Sequence, residues 1–110
     1  MSDSSSENPV LDLLAAMTAD SVEASTLDPQ TFMVARIAAL VAVDGPPASY
    51  LMNLGTASDM GVTAEQVQGI LIAVAPIVGT TRVVSAASKI ARALGLAIAI
   101  AEEEMESAAA

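Results

Sequence analysis

The chain has no cysteine and no histidine among its 110 residues. The first absence excludes disulfides, thiol nucleophiles and thiolate metal sites. The second removes imidazole both as a base and as a metal ligand. Tryptophan is absent too, and one tyrosine and one phenylalanine hold the aromatic share to 2%. Four basic residues stand against thirteen acidic ones, for a net charge of −9. Phosphate contacts need clustered Lys and Arg, so no nucleic-acid partner is expected. Long apolar runs are also missing. The longest are residues 37–43 and 70–78, the second interrupted by Pro76, whereas a membrane span needs about 20 apolar residues. The N-terminal Met-Ser-Asp-Ser-Ser-Ser-Glu-Asn lacks the basic and apolar regions of a secretory signal, so a cytoplasmic location with no membrane partner is expected.

What the chain does have is alanine, at 23 positions, within a hydrophobic share of 54%. Small apolar side chains favour closely packed helices over a sandwich, which would want aromatic and β-branched residues. The length fits one domain. The expectation is an all-α domain of five or so helices over residues 9–101. A flexible polar N-terminus (1–8) precedes it and an acidic tail (102–110) follows.

The helix punctuation is explicit. Asn8-Pro9 and Asp28-Pro29 each pair a capping side chain with a proline at the first helical position. After the first, Val10, Leu13, Leu14 and Met17 share a helical face. After the second, Phe32, Met33, Ile37, Leu40 and Val41 with intervening alanines make a helix apolar nearly all round, expected at the centre. Asp44-Gly45-Pro46-Pro47 stops it, and the prolines open a third helix through Tyr50, Leu51, Leu54 and Ala57 to a cap at Gly61. Thr63-Ala64-Glu65-Gln66 is a capping box for a fourth, ended by Pro76 and Gly79. The fifth starts at Thr80 or Thr81 and carries Val83, Ala87, Ile90, Leu94 and Ile98 as its apolar seam. Gly95 is a possible break in it. So small a domain leaves apolar surface over, which points to a homo-oligomer with an alanine-rich helical interface.

From Asp28 to Gly95 the chain resembles the carboxymuconolactone decarboxylase family, which includes the alkylhydroperoxidase D-like proteins. The resemblance rests on four stretches in order. They are Asp28-Pro-Gln-Thr opening the helix that runs through residues 34–43, the Gly45-Pro-Pro-Ala-Ser-Tyr50 junction, Asp59-Met-Gly-Val-Thr-Ala-Glu-Gln66 after Ala57, and Ala75-Pro-Ile-Val-Gly79 followed by Arg82-Val-Val-Ser-Ala-Ala87. It implies an all-helical fold assembled as a trimer or hexamer. It also implies where the family's chemistry would sit. The redox members' two cysteines fall on Pro46 and Ser49, their histidine on Asn53 and their glutamate on Val34. None of those groups is present. Peroxide reduction by a dithiol is therefore excluded, since a serine hydroxyl cannot replace a thiolate. Asn53 has no titratable proton near neutral pH for the lactone decarboxylases' acid–base step, though it can orient or stabilise by hydrogen bonding.

Candidate binding residues follow from charge and spacing. Arg36 is the only basic residue in the first 81 positions and lies inside an apolar helix. It needs a carboxylate, backbone carbonyls or a bound anion. The alternatives are an ion pair, with Asp44 or with another chain, and an anchor for a carboxylate-bearing small molecule. Ser49, Tyr50 and Asn53 fall at helical spacing and are expected to line one polar cleft; the alternative places Tyr50 in the core. Arg82, Ser85, Lys89 and Arg92 form a stripe on the fifth helix, either an anion rim or an answer to the acidic first helix and tail, within or between subunits. No metal or cofactor is expected. Glu102, Glu103 and Glu104 fan outward on a helix, and the methionines read as gap fillers. Two functions follow: binding of a small apolar or carboxylate-bearing ligand near Arg36, Ser49, Tyr50 and Asn53 with no identified catalytic residue, or a non-catalytic structural or regulatory homo-oligomer, or a subunit of a mixed oligomer.

Overall fold

A computed structural model describes residues 7–109, with side chains through residue 95. The flexible stretch expected at the N-terminus falls, for residues 1–6, outside the described residues, whereas Asn8 is part of the first helix's cap. Five helices follow in order: α1 (Pro9–Ala24), α2 (Pro29–Val43), α3 (Pro47–Asp59), α4 (Ala64–Val78) and α5 (Thr80–Ala109). The caps anticipated from the sequence do the starting. Asn8 Oδ1 accepts from the Leu11 amide at 3.1 Å and Asp28 Oδ2 from the Thr31 amide at 3.2 Å. Thr63 and Gln66 exchange both bonds of a capping box. Each satisfies amide groups that a helix start leaves unpaired.

The helix stops are equally local. At the end of α3, Gly61 takes φ +89°, and the Val62 amide reaches back to the Ala57 carbonyl at 2.9 Å. At the end of α2 the same return is made by the Gly45 amide onto the Leu40 carbonyl at 2.9 Å, but the left-handed position is Asp44, at φ 54°. Asp tolerates this region better than most side chains, because its short polar group can bond nearby. At Gly45 a Cβ would lie 2.7 Å from Leu40 Cδ2, so a larger residue would require that leucine side chain to move.

α2 is the centre, in contact with α3, α4 and α5. Its buried seam is Met33, Ile37 and Val41, spaced four apart, with Ile37 and Val41 wholly enclosed. α3 contributes Tyr50, Leu54 and Ala57, and α4 contributes Val67 and Ile70. Fully burying a side chain such as Ile37 is worth about 1.5–3 kcal/mol. Apart from the Tyr50 phenol, no polar or charged side chain is buried among the described residues.

Two expectations are corrected here. The buried seam of α5 is Ala86, Ile90 and Ala93, while Leu94 remains 41% exposed and Ala87 faces solvent. The alanines let α5 approach α3 and α2 closely, so the helix rotates toward its small residues rather than its large ones. Gly95 does not break the helix, which continues to Ala109 and so includes residues 102–109 of the acidic tail. No helix among the described residues is long and apolar enough to cross a membrane.

α1 stands apart. It has no buried residue, and it comes near the core only at its C-terminal end, where Val22 lines a hollow of about 200 Å³ with Phe32, Met33, Thr56 and Met60.

Deleting core volume at the centre should be costly. Ile37→Ala should lower unfolding free energy by about 2–5 kcal/mol in urea titration. Tyr50→Phe should leave it unchanged or raise it by up to about 1 kcal/mol, because the wholly buried Tyr50 hydroxyl has no hydrogen-bond partner among the described residues.

Candidate functional site

The polar groups of the molecule gather where α2 ends. A helix C-terminus presents unpaired carbonyls and the negative end of the helix dipole. α5 answers with its basic stripe. Arg82 Nη1 donates to the Ala42 carbonyl at 2.7 Å and Lys89 Nζ to the Gly45 carbonyl at 2.7 Å. Asp44 Oδ1 accepts from the Ser85 hydroxyl at 2.7 Å and from Lys89 Nζ at 2.9 Å. The Ser85 hydrogen bond first, and then Lys89, hold the Asp44 carboxyl below the usual carboxylate range. Arg82, Ser85 and Lys89 thus grip the α2 terminus of their own chain. Among the described residues of the chain itself, none of these three pairs with a side chain of α1. The residues lie about forty apart in sequence, so no local pattern pairs them. The rule that cations favour helix C-termini is the one signal that could have.

This arrangement removes Asp44 from the alternatives for Arg36. Asp44 is taken by Lys89, and no carboxylate pairs with Arg36 among the described residues. Arg36 is half-buried instead, with Cζ 4.4 Å from the centroid of the Phe32 ring one turn earlier. Such a cation–π contact is worth about 0.5–1 kcal/mol at partly exposed sites. It steadies the guanidinium without neutralising it.

Arg36 and Asn53 come together. With Ala39, Leu40 and Val43 they line an open hollow of about 250 Å³ between α2 and α3. Asn53 is half-buried and donates from Nδ2 to the Ser49 carbonyl at 2.8 Å, one turn back in its own helix. Ser49 is half-buried on the first turn of α3. Tyr50 departs from the expected cleft: it is wholly buried in the core and does not line the hollow. The cause is geometric. On α3, Tyr50 shares its face with Leu54 and Ala57, and that face meets the core. Burial, and then the Asp44 charge, push the Tyr50 phenol above its ordinary value. Lys89 Nζ lies 6.0 Å from the ring centroid. Val34 packs against the core, and Pro46 caps α3 without a side-chain hydrogen bond.

A family model for the carboxymuconolactone decarboxylase family matches residues 8–93. The chain belongs to the carboxymuconolactone decarboxylase family. No curated protein and no solved structure matches it significantly. The family match begins twenty residues before the stretch that carries the sequence resemblance and so takes in α1. Within the family scaffold this chain holds no cysteine and no histidine. The groups at the positions the resemblance marks, Val34, Pro46, Ser49 and Asn53, can pack, cap and hydrogen-bond, but they offer no thiolate and no group titrating near neutral pH. No cluster of three or more metal-ligating side chains occurs among the described residues.

Because Asp44 is depressed in the folded state, its contribution is complete above the unfolded carboxylate value and fades as pH falls through the folded one. Asp44→Asn, which keeps a residue tolerant of φ 54°, should therefore be less stable than wild type at pH 6. The difference should shrink progressively below about pH 4 in urea titrations at stepped pH.

Proposed function

We propose that this family member binds a small, largely apolar ligand carrying a carboxylate, with Arg36 as the anchor and Asn53 as an orienting hydrogen-bond group. The observation that carries the reading is the state of Arg36. It is a half-buried guanidinium on an otherwise apolar helix, held in place by Phe32, facing a hollow, with no carboxylate of its own among the described residues. A guanidinium recognises a carboxylate by two parallel hydrogen bonds, and a partly desolvated site strengthens them. The apolar walls from Ala39, Leu40 and Val43 suit the ligand's body. Ser49, one turn before Asn53, extends the polar edge of α3. Tyr50 supports this site from the core rather than touching the ligand. Any turnover would rest on positioning and hydrogen bonding, since no acid–base pair is available.

A second reading has its own observation. α1 exposes Val10, Leu11, Leu13, Leu14, Met17 and Val22 at 49–64% of their surfaces. That surface favours a homo-oligomer, a trimer or hexamer as the resemblance implies, in which assembly is the function, alone or mixed with an active homologue. The two readings are compatible in structure and differ in whether the Arg36 hollow is occupied.

Thermal unfolding with benzoate and with a lactone-bearing carboxylic acid separates them. Binding raises the transition temperature with ligand concentration, reaching about 2.7 kcal/mol of added stability at a hundred times Kd. Arg36→Ala should abolish the shift while leaving the ligand-free transition within about 1 kcal/mol of wild type, the size of the lost cation–π contact. A shift that persists in Arg36→Ala removes Arg36 as the anchor, and no shift with either acid leaves assembly as the function.

A further inference from the structure

The hollow that Arg36 faces has a neighbour along the same groove. On α3, Asn53, Thr56 and Met60 recur at three and four residues, a spacing that puts them on one helical face. Asn53 shares its hollow with Arg36 and Leu40 of α2, whereas Thr56 and Met60 share theirs with Phe32 and Met33, nearer the α2 start. The two helices therefore run antiparallel, and the two hollows follow each other along the seam between them. They meet at the Arg36–Phe32 contact of 4.4 Å, where the guanidinium lines one hollow and the ring lines the other.

The second hollow differs in chemistry. The buried Met33 forms its floor, Phe32 and Met60 its sides, and Val22 and Leu27 close it from the α1 side. No charged residue lines it. Its one polar side chain, Thr56, donates its hydroxyl to the Met52 carbonyl at 3.3 Å, back onto its own helix. A second polar end of a ligand would find no partner there, and water held there would lack the two to four it needs. Thioether side chains adapt to an irregular apolar occupant.

Size points the same way. Small-molecule pockets occupy about 300–1,000 Å³. The Arg36 hollow, about 250 Å³, and its neighbour, about 200 Å³, each fall short of that range, and joined they lie within it. The groove from Arg36 back to Pro29 extends about 10 Å along the helix axis, which suits a chain better than a single ring.

We propose that the ligand is an elongated monocarboxylic acid with an alkyl tail, its carboxylate on Arg36 and its tail laid past Phe32 into the hollow of Met33 and Met60. Leu40 walls the carboxylate end. The inference rests on the Arg36 reading above and adds to it the class of acid and the seat of its tail.

Amide chemical-shift titration of the full chain with butyrate, hexanoate and octanoate, and with benzoate as the compact acid, tests it. Kd should fall about fourfold for each added methylene up to octanoate. Arg36→Ala should weaken octanoate binding at least tenfold. Thr56→Trp places a ring in the second hollow from an exposed position; it should leave butyrate within twofold of wild type and bring octanoate close to butyrate. Met60→Ser, a milder change at another exposed position, should weaken octanoate several-fold and leave butyrate unchanged. Benzoate binding that is lost in Arg36→Ala, with no gain from butyrate to octanoate, overturns the tail and leaves the Arg36 anchor standing. A gain with length that survives both Thr56→Trp and Met60→Ser puts the tail elsewhere and overturns the inference. Binding of none of the acids, or octanoate binding that survives Arg36→Ala, overturns the anchor and the inference together.

Discussion

The end of α2 is the constraint on which the rest depends. The central apolar helix stops among exposed residues, Ala42, Val43 and Asp44, and its last carbonyls need donors from outside the helix. The chain solves this with a left-handed Asp44 and a close turn at Gly45, and then with three side chains of α5. A glycine at position 44 would adopt the same backbone with less strain. Aspartate adds what glycine cannot, a carboxylate that bonds to Ser85 and Lys89. One junction thereby closes α2, aims the chain into α3 and fixes the register of α5 against both. The ion pair itself is partly exposed and modest in energy. Its weight lies in specifying how the apolar seams meet.

That junction also decides which charges remain available. By engaging Asp44, Lys89 leaves Arg36 with no carboxylate among the described residues, and the guanidinium settles on the Phe32 ring. Arg82 and Lys89 engage Ala42 and Gly45, and Arg92 is the cation of their stripe with no partner among the described residues. With only four basic residues in the chain, two are structural and two face outward. The proposed carboxylate-binding reading grows from this division, at Arg36.

Membership of the carboxymuconolactone decarboxylase family adds the scaffold and removes most of the chemistry associated with it. The positions where a dithiol and a histidine would stand carry a helix cap, a half-buried serine and an amide turned back onto its own helix. What survives is a shaped, largely apolar frame with hydrogen-bond groups along α3. Such a frame can hold and orient a ligand, but it offers no group to carry electrons or to exchange protons near neutral pH.

Local signals were enough to set the helices. Asn8, Asp28 and Thr63 cap because their side chains reach amides three residues on, and Gly61 ends α3 because it enters the left-handed region cheaply. These relations span four residues or fewer and are written in the chain itself. The centrality of α2 was legible too, since a helix apolar nearly all round has nowhere else to go. Tertiary structure alone decided which face of α5 turns inward, because close approach favours Ala86 and Ala93 over the larger Leu94. It alone placed Tyr50 in the core rather than beside Asn53, and it alone chose Lys89 over Arg36 as the partner of Asp44. Those outcomes depend on how helices forty residues apart lie against each other, and helical periodicity carries no record of that distance.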